Sequence, residues 1–196
     1  MALNYFMNDS DPPGNARGMI VVGHSWAQGT FGGREEEIGN TLGMEVTAKT
    51  KIGSSINYAK TEMENAPGKY KCALLFTGIN DYRNNPDDIK KSFDLLIGAA
   101  DAKVDGRIYL VNVPYYGPAG RDKIDRINDD LRDLAKKYPN VVYIDLNAEL
   151  NGKKHPEYSP SGLHPGNYNK IREFLLNEIM KNENPIAASK KQALAR

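Results

Sequence analysis

The chain has 196 residues, enough for one substantial hydrophobic core and a single domain. Its 26 Lys and Arg stand against 25 Asp and Glu, a balance that offers no long-range field to nucleic acid or to an anionic membrane. The one cysteine, Cys72, excludes an internal disulfide and, opening an apolar run, reads as a small core residue.

Residues 1–17 are polar, with Pro12, Pro13 and Gly14 in succession, and read as an N-terminal arm on the surface or disordered. They carry neither the basic start nor the apolar stretch of a secretory signal. No apolar run approaches the roughly 20 residues needed to span a bilayer. The expectation is a protein without an export address, cytoplasmic or built into a virus particle or other assembly.

Met19 to Gly23 is the first strand, apolar without alternation, as when helices cover both faces of a sheet. Gly29, Gly32 and Gly33 mark a glycine-spaced loop after it. Glu35, Glu36 and Glu37 open a helix running from Gly33 to Leu42, where acidic side chains suit the positive end of the dipole, and Gly43 stops it. Met44 to Thr50 alternates and reads as a strand nearer the sheet edge. Gly53 lies in the next loop, and a helix from Ser54 to Asn65 closes at Pro67-Gly68. Cys72 to Thr77 is the third strand. Pro86 to Ala100 is a helix with Ile89, Phe93, Leu96 and Ile97 on one face. Arg107 to Val113 is the fourth strand, ended by Pro114-Tyr115-Tyr116-Gly117-Pro118. Arg121 to Tyr138 is amphipathic, Val141 to Leu146 is the fifth strand, Asn151 to Pro165 is a polar loop, and Tyr168 to Met180 is the closing helix.

Strand and helix alternate five times. Right-handed crossovers then require a parallel sheet with helices on both faces. The expected fold is a single three-layer α/β/α domain over residues 18–182, with a flavodoxin-like five-stranded sheet in the order 2-1-3-4-5. Its crevice lies at the carboxyl ends of strands one and three. Residues 183–196 form a basic, Ala/Lys-rich tail. This tail and the N-terminal arm are candidate contacts to a protein assembly.

Ser25, Gly53 and Asn80 all fall just past strand carboxyl ends, which makes them candidates for one site. A serine hydroxyl becomes a nucleophile when a base takes its proton and donors await the oxyanion. Asn80 offers an uncharged amide donor, and Gly53 a backbone N–H with no side chain to shield it. Asp81 reads as a brace that accepts backbone N–H bonds. His164, in a Gly/Pro-framed loop before the last helix, can reach back to Ser25, and His155 in the same loop is the reserve base. His24 is a poor base, because neighbouring side chains on an extended strand face opposite ways. Gly23-His24-Ser25-Trp26-Ala27 nearly matches the Gly-x-Ser-x-Gly elbow of α/β-hydrolases. That elbow normally follows several strands, whereas this one follows the first. Trp26, Tyr58, Tyr82, Tyr115 and Tyr116 fall in loops at the expected rim, where they stack on sugar rings or line a small acyl pocket, or else pack in the core or on the surface. Of these, Trp26, Tyr82 and Tyr115 are the substrate-binding candidates.

Gly23-His24-Ser25, Gly53, Gly78-Ile79-Asn80-Asp81 and Gly162-Leu163-His164-Pro165 together resemble the four blocks of the SGNH (GDSL-like) hydrolases, over about Met19 to Met180. The resemblance implies Ser25 as nucleophile and His164 as base. It also implies an oxyanion hole from the Ser25 and Gly53 N–H groups and the Asn80 side chain, with neither metal nor cofactor. The family's first block usually reads Gly-Asp-Ser, and His24 stands at that Asp. The family also places an Asp three residues before the histidine, where this chain has Ser161. Loss of such an acid can cost about 10⁴ in rate. Ser161 itself, a backbone carbonyl, Asp145 or Glu157 is left to orient His164.

The function expected is a serine esterase that removes a small acyl group, by preference acetyl, from a carbohydrate or similar polar ester. The alternative is a catalytically weak or silent SGNH-like domain that binds glycans or serves in an assembly. A flavin-binding role is disfavoured, because the first loop lacks a dense phosphate cradle.

Overall fold

The computed structural model describes residues 16–115, 120–150 and 164–183. The five strands are β1 (Arg17–Gly23), β2 (Val46–Thr50), β3 (Tyr70–Phe76), β4 (Ile108–Val111) and β5 (Val141–Ile144). They form one parallel sheet in the order β2-β1-β3-β4-β5, the expected doubly wound topology. Seven helices connect and cover them: α1 (Ser25–Phe31), α2 (Glu35–Leu42), α3 (Ile56–Glu64), α4 (Pro86–Asp101), α5 (Arg121–Lys137), α6 (Leu146–Glu149) and α7 (Tyr168–Glu183). No helix of the described residues is long and apolar enough to cross a membrane.

The unbroken apolar runs of β1 and β3 follow from burial on both faces. Ile20, Val22, Ala73 and Leu75 face one layer, made by α3, α4 and α5 through Ile56, Met63, Phe93, Leu96, Ile127 and Leu131. Met19, Val21, Leu74 and Phe76 face the other, made by α1, α2 and α7 through Trp26, Phe31, Ile38, Ile171 and Leu175. β2 pairs with β1 alone and is one of the two edge strands, in keeping with its alternation. Cys72 is fully buried, and burial pushes its thiol up to about 12, so it is an inert core residue.

The structure departs from the sequence reading at three places. The expected glycine-spaced loop after β1 begins as helix α1, because Gly29 marks helix packing and not a turn: a Cβ there would come within 2.4 Å of the Tyr168 ring on α7. α6 was not foreseen. Asp145 caps it by accepting from the Ala148 N–H, so the fifth strand stops at Ile144. Arg17 already pairs with Tyr70, so the sheet starts inside the expected 1–17 arm, and α7 runs to Glu183 at the expected start of the tail. The remainder of the arm and tail lies outside the described residues, as do Tyr116, His155, Glu157 and Ser161.

Candidate active site

β1 ends at Gly23, His24 caps α1, and Ser25 is the first residue of that helix. The sharp change from strand to helix sets the half-buried Ser25 at the carboxyl edge of the sheet. His164 reaches it from the far end of the chain, with Nε2 2.8 Å from Ser25 Oγ. This approach is fixed by the docking of α7 on α1. Arg172 Nε donates to the Thr30 carbonyl at 2.7 Å, and Tyr168 lies over Gly29. The α7 residues Ile171 and Leu175 pack into the same apolar layer as Trp26 and Phe31.

Two further loops are tied to the same strand end. The Gly23 carbonyl accepts from the Lys51 N–H at 3.0 Å and from Ser54 Oγ at 3.2 Å, which holds the loop carrying Gly53 against the root of the nucleophile turn. Gly53 is exposed with φ +74°, a left-handed conformation suited to glycine. Asn80 Nδ2 donates to the Ser54 carbonyl at 2.8 Å, which engages one of its two amide hydrogens. Asp81 Oδ2 accepts from the Ile56 N–H at 3.0 Å, the bracing role its position suggested, and burial raises its carboxyl above the usual range. The chain thus links the ends of β1, β2 and β3 into one hydrogen-bonded unit.

His24 is the residue whose role the sequence did not reveal. Its Nδ1 accepts from the Trp26 N–H at 3.1 Å, its ring lies 5.5 Å from Phe76, and it is completely buried. Burial, assisted by the nearby His164, lowers its proton affinity to a pKa of about 3. Histidine stands outside the usual Ser, Thr, Asp and Asn caps, so composition gave no signal for it.

The expected rim aromatics divide. Trp26 is only 1% exposed and packs edge-on against Phe76, so it belongs to the core and not to the rim. The α1 turn rotates it under the serine. Tyr82 is half-buried against the α3–α5 layer, with the Arg83 guanidinium 5.5 Å from its ring. Tyr115 is also half-buried, with its hydroxyl on Asp125 and Arg121 4.4 Å over its ring. Tyr58 has Lys51 5.7 Å above its ring. Asp145, a candidate to orient His164, has other partners: Asn112 Nδ2 at 2.7 Å, the Ala148 N–H at 3.0 Å and Arg132 at 3.5 Å. Beside it lies a set of buried amides that the sequence reading passed over. Asn128 binds both the N–H and the carbonyl of Val113, and Asn147 joins the Val113 carbonyl to the Tyr115 N–H.

A hydroxyl in hydrogen-bond contact with an imidazole, beside a glycine loop and an amide donor, is an arrangement suited to acyl transfer. Among the described residues, no group of three or more His, Cys, Asp or Glu could hold a metal ion.

No family model and no curated protein sequence matches the chain. Solved structures do match its fold. The psychrotrophic esterase EstA from Pseudoalteromonas sp. aligns at 13% identity over 86% of this chain and 99% of its own, with a TM-score of 0.66. A member of the lipolytic G-D-S-L family from Veillonella parvula aligns at 18% identity over 86% and 98%, with a TM-score of 0.63. The C-terminal catalytic domain of the peptidoglycan O-acetyltransferase OatA from Streptococcus pneumoniae aligns at 20% identity over 85% and 92%, with a TM-score of 0.59. The chain has the three-layer fold shared by SGNH hydrolases and acyltransferases of this kind.

Proposed function

We propose that this protein is a serine esterase that removes a small acyl group, acetyl by preference, from a carbohydrate or similar polar ester. The observation that carries the reading is the 2.8 Å contact between Ser25 Oγ and His164 Nε2, made across 139 residues of sequence. In this mechanism His164 takes the hydroxyl proton as Ser25 Oγ attacks the ester carbonyl, and then gives it to the departing alcohol. The Ser25 and Gly53 N–H groups and the second hydrogen of the Asn80 amide receive the oxyanion. Water activated by His164 then releases the acid from the acyl-serine.

In this reading the exposed parts of the half-buried Tyr82 and Tyr115 contact the sugar, and the acetyl preference takes support from the O-acetyltransferase with the same fold. Tyr82 and Tyr115 keep their substrate-binding role in this reading, and Trp26 loses it. The far nitrogen of His164 contacts no carboxylate among the described residues, so Ser161, Glu157 or a backbone carbonyl is left to hold it.

The test is intact mass after incubation with a fluorophosphonate. A single adduct on the wild type, absent from Ser25→Ala, is expected. Absence of an adduct at high reagent and long times overturns the esterase reading in favour of a silent domain that binds glycans or joins an assembly.

A further inference from the structure

In the loop from β2 to α3, Lys51, Ile52 and Gly53 are exposed and Ser55 is half-buried, while Ser54 is buried at 7% exposure. The two adjacent serines have different partners. Ser55 accepts from the Tyr58 N–H and caps α3, a local task. Ser54 commits each of its polar groups to a different segment. Its N–H donates to the Lys51 carbonyl at 3.2 Å and closes the turn that holds Gly53. Its Oγ donates to the Gly23 carbonyl, 31 residues away, at 3.2 Å, and its own carbonyl accepts from Asn80 Nδ2 at 2.8 Å. A buried serine with all three groups engaged inside the protein serves the site through its neighbours.

What Ser54 decides is the orientation of the Asn80 amide. The two ends of an amide are nearly equal in size, and Asn80 is exposed, so packing does not choose between them. A carbonyl accepts only from a donor, so the Ser54 carbonyl selects the orientation that turns Nδ2 toward it. One Nδ2 hydrogen goes to Ser54, and the second is left for another acceptor. The reversed amide would set Oδ1 against the Ser54 carbonyl, oxygen to oxygen, and would present a lone pair where the second hydrogen now lies. An oxyanion would be repelled there. The peptide that carries the carbonyl is fixed through the Ser54 hydroxyl on Gly23. Other ties of these loops do not depend on that hydroxyl. The Lys51 N–H reaches the same Gly23 carbonyl at 3.0 Å, the Asp81 N–H donates to the Gly78 carbonyl at 3.1 Å, and Asp81 Oδ2 holds the Ile56 N–H. Loss of Oγ therefore leaves the Gly53 loop and the Asn80 backbone tied in place and releases the plane of the amide.

We infer, resting on the oxyanion role proposed for Asn80, that Ser54 is a positioning residue: its hydroxyl bond to Gly23 holds its carbonyl where that carbonyl orients the Asn80 amide and keeps one amide hydrogen for the oxyanion. Ser54 acts through Asn80 and does not touch the reacting atoms.

The experiment is turnover of a small aryl ester by the full chain as wild type, Ser54→Ala, Ser54→Thr, Asn80→Ala and the Ser54→Ala/Asn80→Ala double variant, with Ser25→Ala as the blank. Ser54→Ala should lower kcat about tenfold with KM within about twofold of wild type, and Ser54→Thr, which keeps the hydroxyl, should recover most of the loss. In the Asn80→Ala background the same Ser54→Ala change should alter kcat by less than about twofold, because no amide is left to orient. An equal loss in the two backgrounds overturns the inference, as does a Ser54→Ala protein with full kcat. Nitrogen-15 spectra of the Asn80 side chain supply a second test that needs no turnover. Its two amide hydrogens should resonate far apart in the wild type, one bonded to a carbonyl and the other facing water. They should draw together in Ser54→Ala and stay apart in Ser54→Thr. A separation unchanged in Ser54→Ala overturns the inference. Wild-type protein that neither turns over nor labels instead removes the esterase reading, while the spectra still decide whether Ser54 orients the amide.

Discussion

The carboxyl rim of the sheet has two halves built from similar side chains used in opposite ways. At the ends of β4 and β5, Asn112, Asn128 and Asn147 are all buried, and each uses both ends of its amide, on Asp145, Leu146, Val113 and Tyr115. At the ends of β1, β2 and β3, Asn80 and Gly53 are exposed, Ser25 is half-buried, and the Asn80 side chain makes one hydrogen bond among the described residues, to the Ser54 carbonyl. An amide with both ends bonded rigidifies a turn. An amide held by a single bond keeps a donor to spare, which suits the oxyanion role proposed for Asn80. The difference lies in how much hydrogen-bonding capacity the fold leaves unused and where it faces water.

Substitutions can break this contrast, and their effects should fall in a definite order. His164→Ala should reduce acyl transfer most, by about 10⁴ or more in kcat, with the melting temperature little changed, as measured by turnover of a small aryl ester. Asn80→Ala should cost about 10²–10³ in kcat and leave stability near wild type, since the residue is exposed. Equal activity in Asn80→Ala would remove that amide from the oxyanion site.

Acidification comes next. His24 has a folded pKa of about 3 against an ordinary value of 6.5, so the unfolded chain binds the extra proton as pH falls between these values. Its contribution to stability is therefore complete above about 6.5, diminishes as pH falls, and is lost by about 3. The loss is a few kcal/mol at most, at about 1.4 kcal/mol per pH unit. Chemical denaturation of the wild type beside His24→Asn should show the slope flattened in the variant.

Asn128→Ala, in the fully bonded half, should destabilise by about 2–3 kcal/mol, because it strands the buried N–H of Val113. The folded fraction should still label fully at Ser25, which is the reverse of the Asn80 result. The smallest effect expected is from Gly29→Ala. The new methyl meets the Tyr168 ring, so a loss of about 1–2 kcal/mol should accompany slower labelling as α7 and His164 shift together. A stability loss with an unchanged labelling rate would show that Ser25 and His164 are held together by contacts other than the α1–α7 packing.

Much of this could be read before any coordinates. The uninterrupted apolar runs around Ile20 and Leu74, each bounded by glycine or polar residues and separated by helical spacing, require strands covered on both faces. The handedness of crossovers then leaves few sheet orders. The positions of Ser25, Gly53 and Asn80 follow from that order, because each lies a few residues beyond a strand end. Trp26 was misread because a rim residue and a core residue look alike when the helix phase is unknown, and α1 turns it inward. Gly29 was misread for a related reason: a glycine that makes room for Tyr168 is indistinguishable in sequence from a glycine that makes a turn.

By itself, then, the sequence determined the layers, the strand order and the short list of groups at the carboxyl rim, since these depend on local periodicity and chain direction. Tertiary structure decided the partnerships. The contact of His164 with Ser25, the tie of Lys51, Ser54 and Asn80 to the end of β1, and the neutrality of His24 arise from groups distant in sequence, or from burial. Their strength depends on distance, geometry and exclusion of water, none of which is encoded at any single position.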